Sequence, residues 1–206
     1  MKPIIFDAES VRAILAGRKT QTRRVVKPQP ERRVDAWRTQ AGEWRGQFRM
    51  PAISCCLNGL LCDVATGYYC PFGGRRSRLW VKESGYWNGG AWCYRADFRD
   101  EIAKGIRWRN PLFMPRVSSR LTLEIVSVRV ERVQAIATSD IRAEGLELLG
   151  TYPACMYEET QAMTRLFAAR WDALNAKRGY PWESNPWVFA IKFRTITPTA
   201  ADAAGD

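Results

Sequence analysis

Alternating apolar side chains over residues 120–133 constrain the fold more than any other feature of this sequence. The apolar residues up to Ile125 occupy odd positions, whereas Val128 and Val130 occupy even ones. Alternation of this kind predicts a long β-strand with one buried face. The change of phase predicts a β-bulge near Val126 and Ser127. Because a single strand cannot bury its apolar face alone, the chain must contain a sheet.

A short amphipathic helix is predicted over residues 7–16. Asp7 is a good N-cap, and Gly17 is a typical C-terminal stop. Helical spacing makes Val11, Ile14 and Leu15 the predicted buried stripe.

The rest of the chain predicts short strands and two further helices. Strands are expected at 79–84 and 187–195, and the Asn88-Gly89-Gly90 turn predicts that residues 91–96 pair with 79–84. A short helix is expected at 139–149, capped by Thr138 or Ser139, and the longest helix at 158–177. This order of elements predicts an α+β fold with a small curved sheet or barrel and flanking helices.

Residues 31–75 show weak periodicity and are predicted to be an insertion of short strands or irregular loops. We expect a single domain over 1–195 that contains this insertion, followed by a disordered tail at 196–206. No apolar run is long enough for a membrane span, and the apolar part of the N-terminus is too short for a signal peptide. These features predict a soluble, cytoplasmic protein that does not bind membranes.

Positive charge is concentrated in the first part of the chain. The net charge is +11, and residues 1–120 hold 23 of the 32 Lys and Arg but only 10 of the 21 Asp and Glu. This asymmetry favours a surface that binds a polyanion such as RNA or DNA. Arginine supplies 25 of the cations. It binds phosphate bidentately and stacks on bases, although a GC-rich genome also raises arginine content without function.

The sequence contains no histidine, which removes the commonest general base and metal ligand. Four of the six cysteines are Cys55, Cys56, Cys62 and Cys70, and none of them forms a C-x-x-C pair. The cluster therefore lacks the spacing of a zinc ribbon, and free thiols are the favoured interpretation over a four-thiolate metal site. We expect neither a metal ion nor another cofactor.

Residues 17–24 follow the first helix and combine four cations with two hydroxyls in the order Gly17-Arg18-Lys19-Thr20-Gln21-Thr22-Arg23-Arg24. A solvated basic turn would explain this run, but so would a binding cleft. The segment resembles the signature of the ASCH domain, a relative of the PUA RNA-binding fold, whose pattern is G-x-K-x-x-E-x-R. Gly17, Lys19 and Arg24 match that pattern, and Thr22 stands at the glutamate position.

Three later segments resemble the long ASCH proteins of tailed phages and prophages, namely Leu79-Trp80-Val81-Lys82-Glu83, Ala143-Glu144-Gly145 and Asn185-Pro186-Trp187-Val188. The resemblance implies a small β-barrel with flanking helices and a basic cleft. Some ASCH proteins are amidohydrolases that remove the acyl group from N4-acetylcytidine, with a Lys and a Thr in G-x-K-x-x-T-x-R and a Glu on a later helix. By position the resemblance implies Lys19, Thr22 and Glu144 as catalytic residues.

The chemistry of these three residues is feasible without histidine, since a Thr hydroxyl needs only a nearby base to act as a nucleophile. Lys19 can be that base when it is neutral, which neighbouring Arg cations favour and a close Glu144 opposes. Glu144 would then orient Lys19 or handle the proton of the leaving amine. Strict strand alternation would place Lys19 and Thr22 on opposite faces, so they converge only where the segment turns.

Residues expected to contact nucleic acid or substrate are Arg18, Arg23, Arg24, Trp80, Lys82 and Glu83. Trp80 is either a core residue or a stacking platform, and Lys82 and Glu83 alternate faces. Lys19 and Thr22 could also line a phosphate-binding cleft without performing chemistry. Three functions therefore remain open: an amidohydrolase that acts on an acylated pyrimidine nucleoside, a non-catalytic RNA- or DNA-binding module, and a ribonuclease in the same cleft.

Overall fold

The structure is a computed structural model that describes residues 1–30, 35–38, 44–47, 67–68, 70–148 and 155–196. Ten strands lie in these residues: β1 (Lys2–Ile5), β2 (Gln21–Val25), β3 (Asp35–Arg38), β4 (Trp44–Gln47), β5 (Gly67–Tyr68), β6 (Arg78–Lys82), β7 (Gly85–Trp87), β8 (Trp92–Tyr94), β9 (Thr122–Arg132) and β10 (Trp187–Ile196). The α-helices are α1 (Ala8–Leu15), α2 (Asp100–Ala103), α3 (Thr138–Ala143) and α4 (Met156–Asn175). The predicted tail lies outside the described residues.

The central sheet has the strand order β1-β6-β9-β10-β2. β1 runs parallel to β6, and the other neighbours are antiparallel. The predicted α+β class is therefore confirmed. The described residues form an open sheet with edges at β1 and β2, which do not hydrogen-bond to each other, so they form no closed barrel.

The predicted bulge lies where the alternation changes phase. On the paired strands, Lys192 stands opposite Ser127 and Phe193 opposite Ile125, so Val126 is the extra residue. Because the register shifts there, Ile125 stays in the core and Val126 is exposed. The strand predicted at 187–195 is also confirmed, as β10.

Two apolar clusters fix the helices around the sheet. In the first, Val11 and Ile14 of α1 pack with side chains such as Ile191. In the second, Phe167 and Trp171 of α4 pack with Val188 and with Ile141 of α3. Successive side chains of a strand point to opposite faces, which is why β10 contributes to both clusters.

Three local predictions need correction. Leu15 is exposed, because it is the last helical residue, and Ala13 is buried with Val11 and Ile14 instead. The Asn88 turn joins β7 to β8, since β6 is already paired on both sides with β1 and β9. Finally, α3 begins after Ala137 without a side-chain cap and stops before Gly145, whose positive φ of 85° breaks the helix.

The predicted insertion contains the antiparallel strands β3, β4 and β5. Cys55, Cys56 and Cys62 lie outside the described residues. Cys70 is a half-buried free thiol. Within the described residues, no helix combines the length and apolarity needed to cross a membrane.

Candidate functional site

A sharp turn after α1 brings Lys19 and Thr22 to the same side of the molecule. Gly17 adopts a φ of 71°, and the amides of Arg18 and Lys19 both donate to the Ala13 carbonyl, at 2.9 and 3.0 Å. Strand β2 starts only at Gln21, so the alternation of faces does not extend back to Lys19. Lys19 and Thr22 line one cavity as a result.

Lys19 forms a buried ion pair with Glu144, which is 125 positions away in sequence. Its Nζ donates to Glu144 Oε2 at 2.7 Å and to the Glu144 carbonyl at 2.8 Å. The two side chains are only 6% and 7% exposed. The backbone fixes this pair, because the two residues form an isolated antiparallel bridge and the Thr20 amide donates to the Ala143 carbonyl at 2.8 Å.

Arg23 holds the other oxygen of the Glu144 carboxylate. Its side chain is 1% exposed and contacts three carboxylates, those of Glu131 at 2.6 Å, Asp140 at 2.9 Å and Glu144 at 3.2 Å. Asp140 also accepts from Arg129 at 2.7 Å. Burial raises the pKa of Asp140, but the two guanidinium groups outweigh it and the net shift is downward. The Glu144 carboxylate is thus oriented by a cation at each oxygen.

Gly145 allows this close approach of two distant segments. A Cβ at Gly145 would lie 2.9 Å from Ala13 Cβ and 3.0 Å from Lys19 Cβ. Glycine also suits the positive φ, which other residues adopt at a cost of roughly 1–2 kcal/mol.

We expect Gly145→Ala to destabilise the protein by more than Gly179→Ala, as measured by urea unfolding. Gly179 is a matched control, since its φ of 86° is almost the same as that of Gly145 but nothing lies within 4 Å of the position that a Cβ would occupy there. Both variants carry the cost of the left-handed backbone, whereas only Gly145→Ala must also displace Ala13 or Lys19. Equal losses in the two variants would contradict the proposed packing role of Gly145.

The cavity has a volume of about 660 Å³, within the range of small-molecule sites. It lies between the start of α1, strand β2, the end of α3 and one face of α4. Its wall includes the aromatic side chains Phe6, Phe72, Phe167, Trp171, Tyr180 and Phe189. Thr22, which also lines the cavity, is 5% exposed.

Arg24 adds a positive charge beside the Lys19–Glu144 pair. Its guanidinium lies 5.1 Å from the centre of the Phe6 ring, and one terminal nitrogen donates to the Ile5 carbonyl at 2.6 Å. Its buried Nε has no hydrogen-bond partner among the described residues. Burial lowers the pKa of Arg24, opposed by Glu144 and Asp7. An arginine keeps its charge even so.

Four of the residues predicted to bind lie outside the cavity lining. Trp80 is buried, and the Lys82 ammonium lies 5.1 Å from its ring centre. Glu83 is 1% exposed and pairs with Arg120 at 2.9 Å. The Trp80 ring is therefore part of the packed interior. Trp80, Lys82 and Glu83 do not share the Lys19 site.

Arg18, the fourth, points to solvent beside the site and reaches Glu147 at 3.4 Å. The cavity instead recruits residues that sequence reasoning assigned elsewhere or passed over, among them Phe6, Lys27, Arg170, Trp171 and Arg178. Trp171 lies in the segment predicted as the longest helix, where helical spacing predicts buried core residues rather than a binding site. Arg170 precedes Trp171 on that helix, and its position beside a buried aromatic residue is the signal that could have identified it.

Among the described residues, no group of Cys, Asp and Glu side chains has the arrangement of a metal site. No protein-family model, curated protein or solved structure matches this chain. Function must therefore be inferred from the geometry of the cavity and from the sequence resemblance.

Proposed function

We propose that this cavity binds a cytidine-type nucleoside acylated on its exocyclic amine and hydrolyses the amide bond. The observation that carries the proposal is the buried Lys19–Glu144 pair, which lines one cavity together with the Thr22 hydroxyl. A nucleophile, a proton-transferring pair and a pocket that seats the substrate beside them are the components that acyl transfer requires. The sequence resemblance of residues 17–24 to ASCH amidohydrolases supports the same interpretation.

The proposed reaction proceeds in two halves. Thr22 Oγ attacks the acyl carbon, and the Lys19–Glu144 pair takes the hydroxyl proton. The C–N bond then breaks, the proton passes to the departing exocyclic nitrogen, and the acyl group remains as an ester on Thr22. Water attacks this ester and releases the carboxylic acid, which restores the Thr22 hydroxyl. Each proton taken from a nucleophile is returned to a leaving group, so one water is consumed per amide cleaved.

The aromatic wall of the cavity suits the flat base of the substrate. Phe6, Phe167 and Trp171 offer ring faces or edges on which a pyrimidine can stack. Arg24, next to Phe6, adds a positive charge near the acyl group, which favours the oxyanion that develops as the acyl carbon is attacked. Binding and chemistry are thus proposed to use adjacent parts of one pocket.

Glu144→Gln is expected to lower kcat/KM for N4-acetylcytidine by about 10²–10⁴-fold, because the amide cannot exchange a proton with Lys19. Cytidine formation, followed by chromatography, measures the effect. Glu147→Gln is the matched control, since Glu147 is 53% exposed and does not line the cavity. That control should retain near wild-type activity.

Two results would contradict the proposal. Equal activity in Glu144→Gln and wild type would show that Glu144 takes no part in the reaction. Binding of N4-acetylcytidine without turnover by the wild type would favour a non-catalytic RNA- or DNA-binding module, the alternative that the basic N-terminal part of the chain also suits.

A further inference from the structure

The cations of the cavity fall into two groups that differ in their pairing. Lys19 and Arg23 are neutralised by carboxylates, as described above. Arg170 is also neutralised, by Asp7 at 2.6 Å and Glu9 at 2.8 Å. Arg24, Lys27 and Arg178 line the same cavity, and none of them has a carboxylate within ion-pair distance among the described residues. These three residues therefore give the cavity positive charge that no direct ion pair neutralises within the described residues.

Lys27 and Arg178 lie at the rim of the cavity on well-fixed backbone. Both are exposed. Lys27 follows β2, and its ammonium lies 5.3 Å from the centre of the Tyr180 ring. The turn that carries Arg178 is held by Tyr180, whose amide donates to the Asn175 carbonyl at 3.2 Å and whose carbonyl accepts from Trp171 Nε1 at 2.9 Å. Tyr180 thus contacts the Lys27 ammonium directly and helps to hold the turn that carries Arg178.

Arg24 connects this rim to the proposed reaction centre. It lies two positions from Thr22 on β2, so their Cα atoms are about 7 Å apart on the same face of the strand. Its buried Nε, unpartnered among the described residues, leaves one donor for a ligand. Burial is the main cause that lowers the pKa of Arg24, and repulsion from Arg178 adds to it against the attraction of Glu144 and Asp7. A dianion between Arg24 and Arg178 would relieve that repulsion.

We infer that the cavity takes a nucleotide, with the phosphate monoester of a 5′-phosphorylated cytidine-type ligand bound by Arg24, Lys27 and Arg178. This inference rests on the proposed function, because it places the base beside Lys19 and Thr22 and the phosphate at the rim. Arginine binds phosphate through parallel hydrogen bonds, and lysine adds a point charge. A cavity of about 660 Å³ is of a size that holds a mononucleotide.

Calorimetric binding of cytidine, CMP and the dinucleotide CpC at one fixed ionic strength tests this inference. CMP is expected to bind about tenfold or more tightly than cytidine, and more tightly than CpC, whose phosphodiester carries a single charge. The Lys27→Gln/Arg178→Gln double variant should lose most of the preference for CMP over cytidine, because only Arg24 is left to bind the phosphate. Lys177→Gln is the matched control, because Lys177 is an exposed neighbour of Arg178 outside the cavity lining. That control should keep the preference for CMP.

Equal affinity of the wild type for CMP and cytidine would overturn the inference, as would an undiminished preference for CMP in the double variant. Tighter binding of CpC than of CMP would also overturn it and identify a polynucleotide as the ligand. Failure of this inference can be distinguished from failure of the proposed function. The proposed function fails when N4-acetylcytidine is not hydrolysed, whether or not CMP binds, and the phosphate site fails when the phosphate adds no affinity, whether or not hydrolysis occurs.

Discussion

Thr22→Ala, Lys19→Arg and the double variant are each expected to lose N4-acetylcytidine hydrolysis by a similar factor, on the order of 10³. Residues that act in one chemical step are not additive, so the second substitution should cost little after the first. Lys19→Arg keeps the positive charge beside Glu144, but a guanidinium cannot release a proton at ordinary pH. The measurement is kcat/KM for each variant, followed by the release of cytidine.

Two matched variants separate this effect from general disturbance of the fold. Thr20→Ala removes a hydroxyl two positions from Thr22, and Lys192→Arg changes an exposed lysine on β10. Neither residue lines the cavity, and both variants should remain active. Full activity in Lys19→Arg would exclude a proton-transferring role for Lys19. Losses that multiply in the double variant would show that Lys19 and Thr22 act in separate steps.

Arg23→Met is expected to destabilise the protein by about 1.5–3 kcal/mol, because it removes charge-assisted hydrogen bonds to three carboxylates, each of which keeps a second cation. The Arg23 side chain is 1% exposed and holds Glu131, Asp140 and Glu144 together. Methionine keeps most of the side-chain volume, so the loss of stability reflects the missing charge and hydrogen bonds rather than a new cavity. The free energy of unfolding is measured by urea denaturation at neutral pH.

Arg194→Met is the control for this substitution. Arg194 is 65% exposed and pairs with a single carboxylate, that of Glu124, at 2.7 Å. Exposed pairs of this kind contribute about 0.2–1 kcal/mol, so the control should stay close to the wild type. A loss in Arg23→Met no larger than that in Arg194→Met would contradict a structural role for the buried network.

The parts of the fold that local patterns encode were predictable from sequence. The bulge at Val126 follows from the parity of neighbouring apolar residues, and the Asp7 cap follows from residue type. The Asp7 side chain accepts from the Ser10 amide at 2.9 Å, as an N-cap does. The extents of α3 and of the β7–β8 hairpin were missed, because they depend on Gly145 and on which strand edges are already paired.

The site was only partly predictable. The resemblance singled out Lys19, Thr22 and Glu144, and the structure brings them to one cavity. Arg23 was expected to bind substrate, and no local pattern indicates that it donates its hydrogen bonds to three carboxylates instead. That arrangement joins β2, β9 and α3, and such contacts between distant segments leave no periodic trace in the sequence. Arg178 was not predicted to line the site, because its place in the cavity also depends on contacts between distant segments.

A proton NMR time course of the wild-type protein with N4-acetylcytidine tests the central claim most directly. The acetyl signal of the nucleoside should decline while free acetate and cytidine grow in equal amounts, with more than one turnover per protein molecule. The Glu144→Gln variant at the same concentration should leave the substrate nearly unchanged over that period. An unchanged acetyl signal with the wild type, or acetate formed equally fast by the variant, would contradict the assignment of this cavity as an amidohydrolase site.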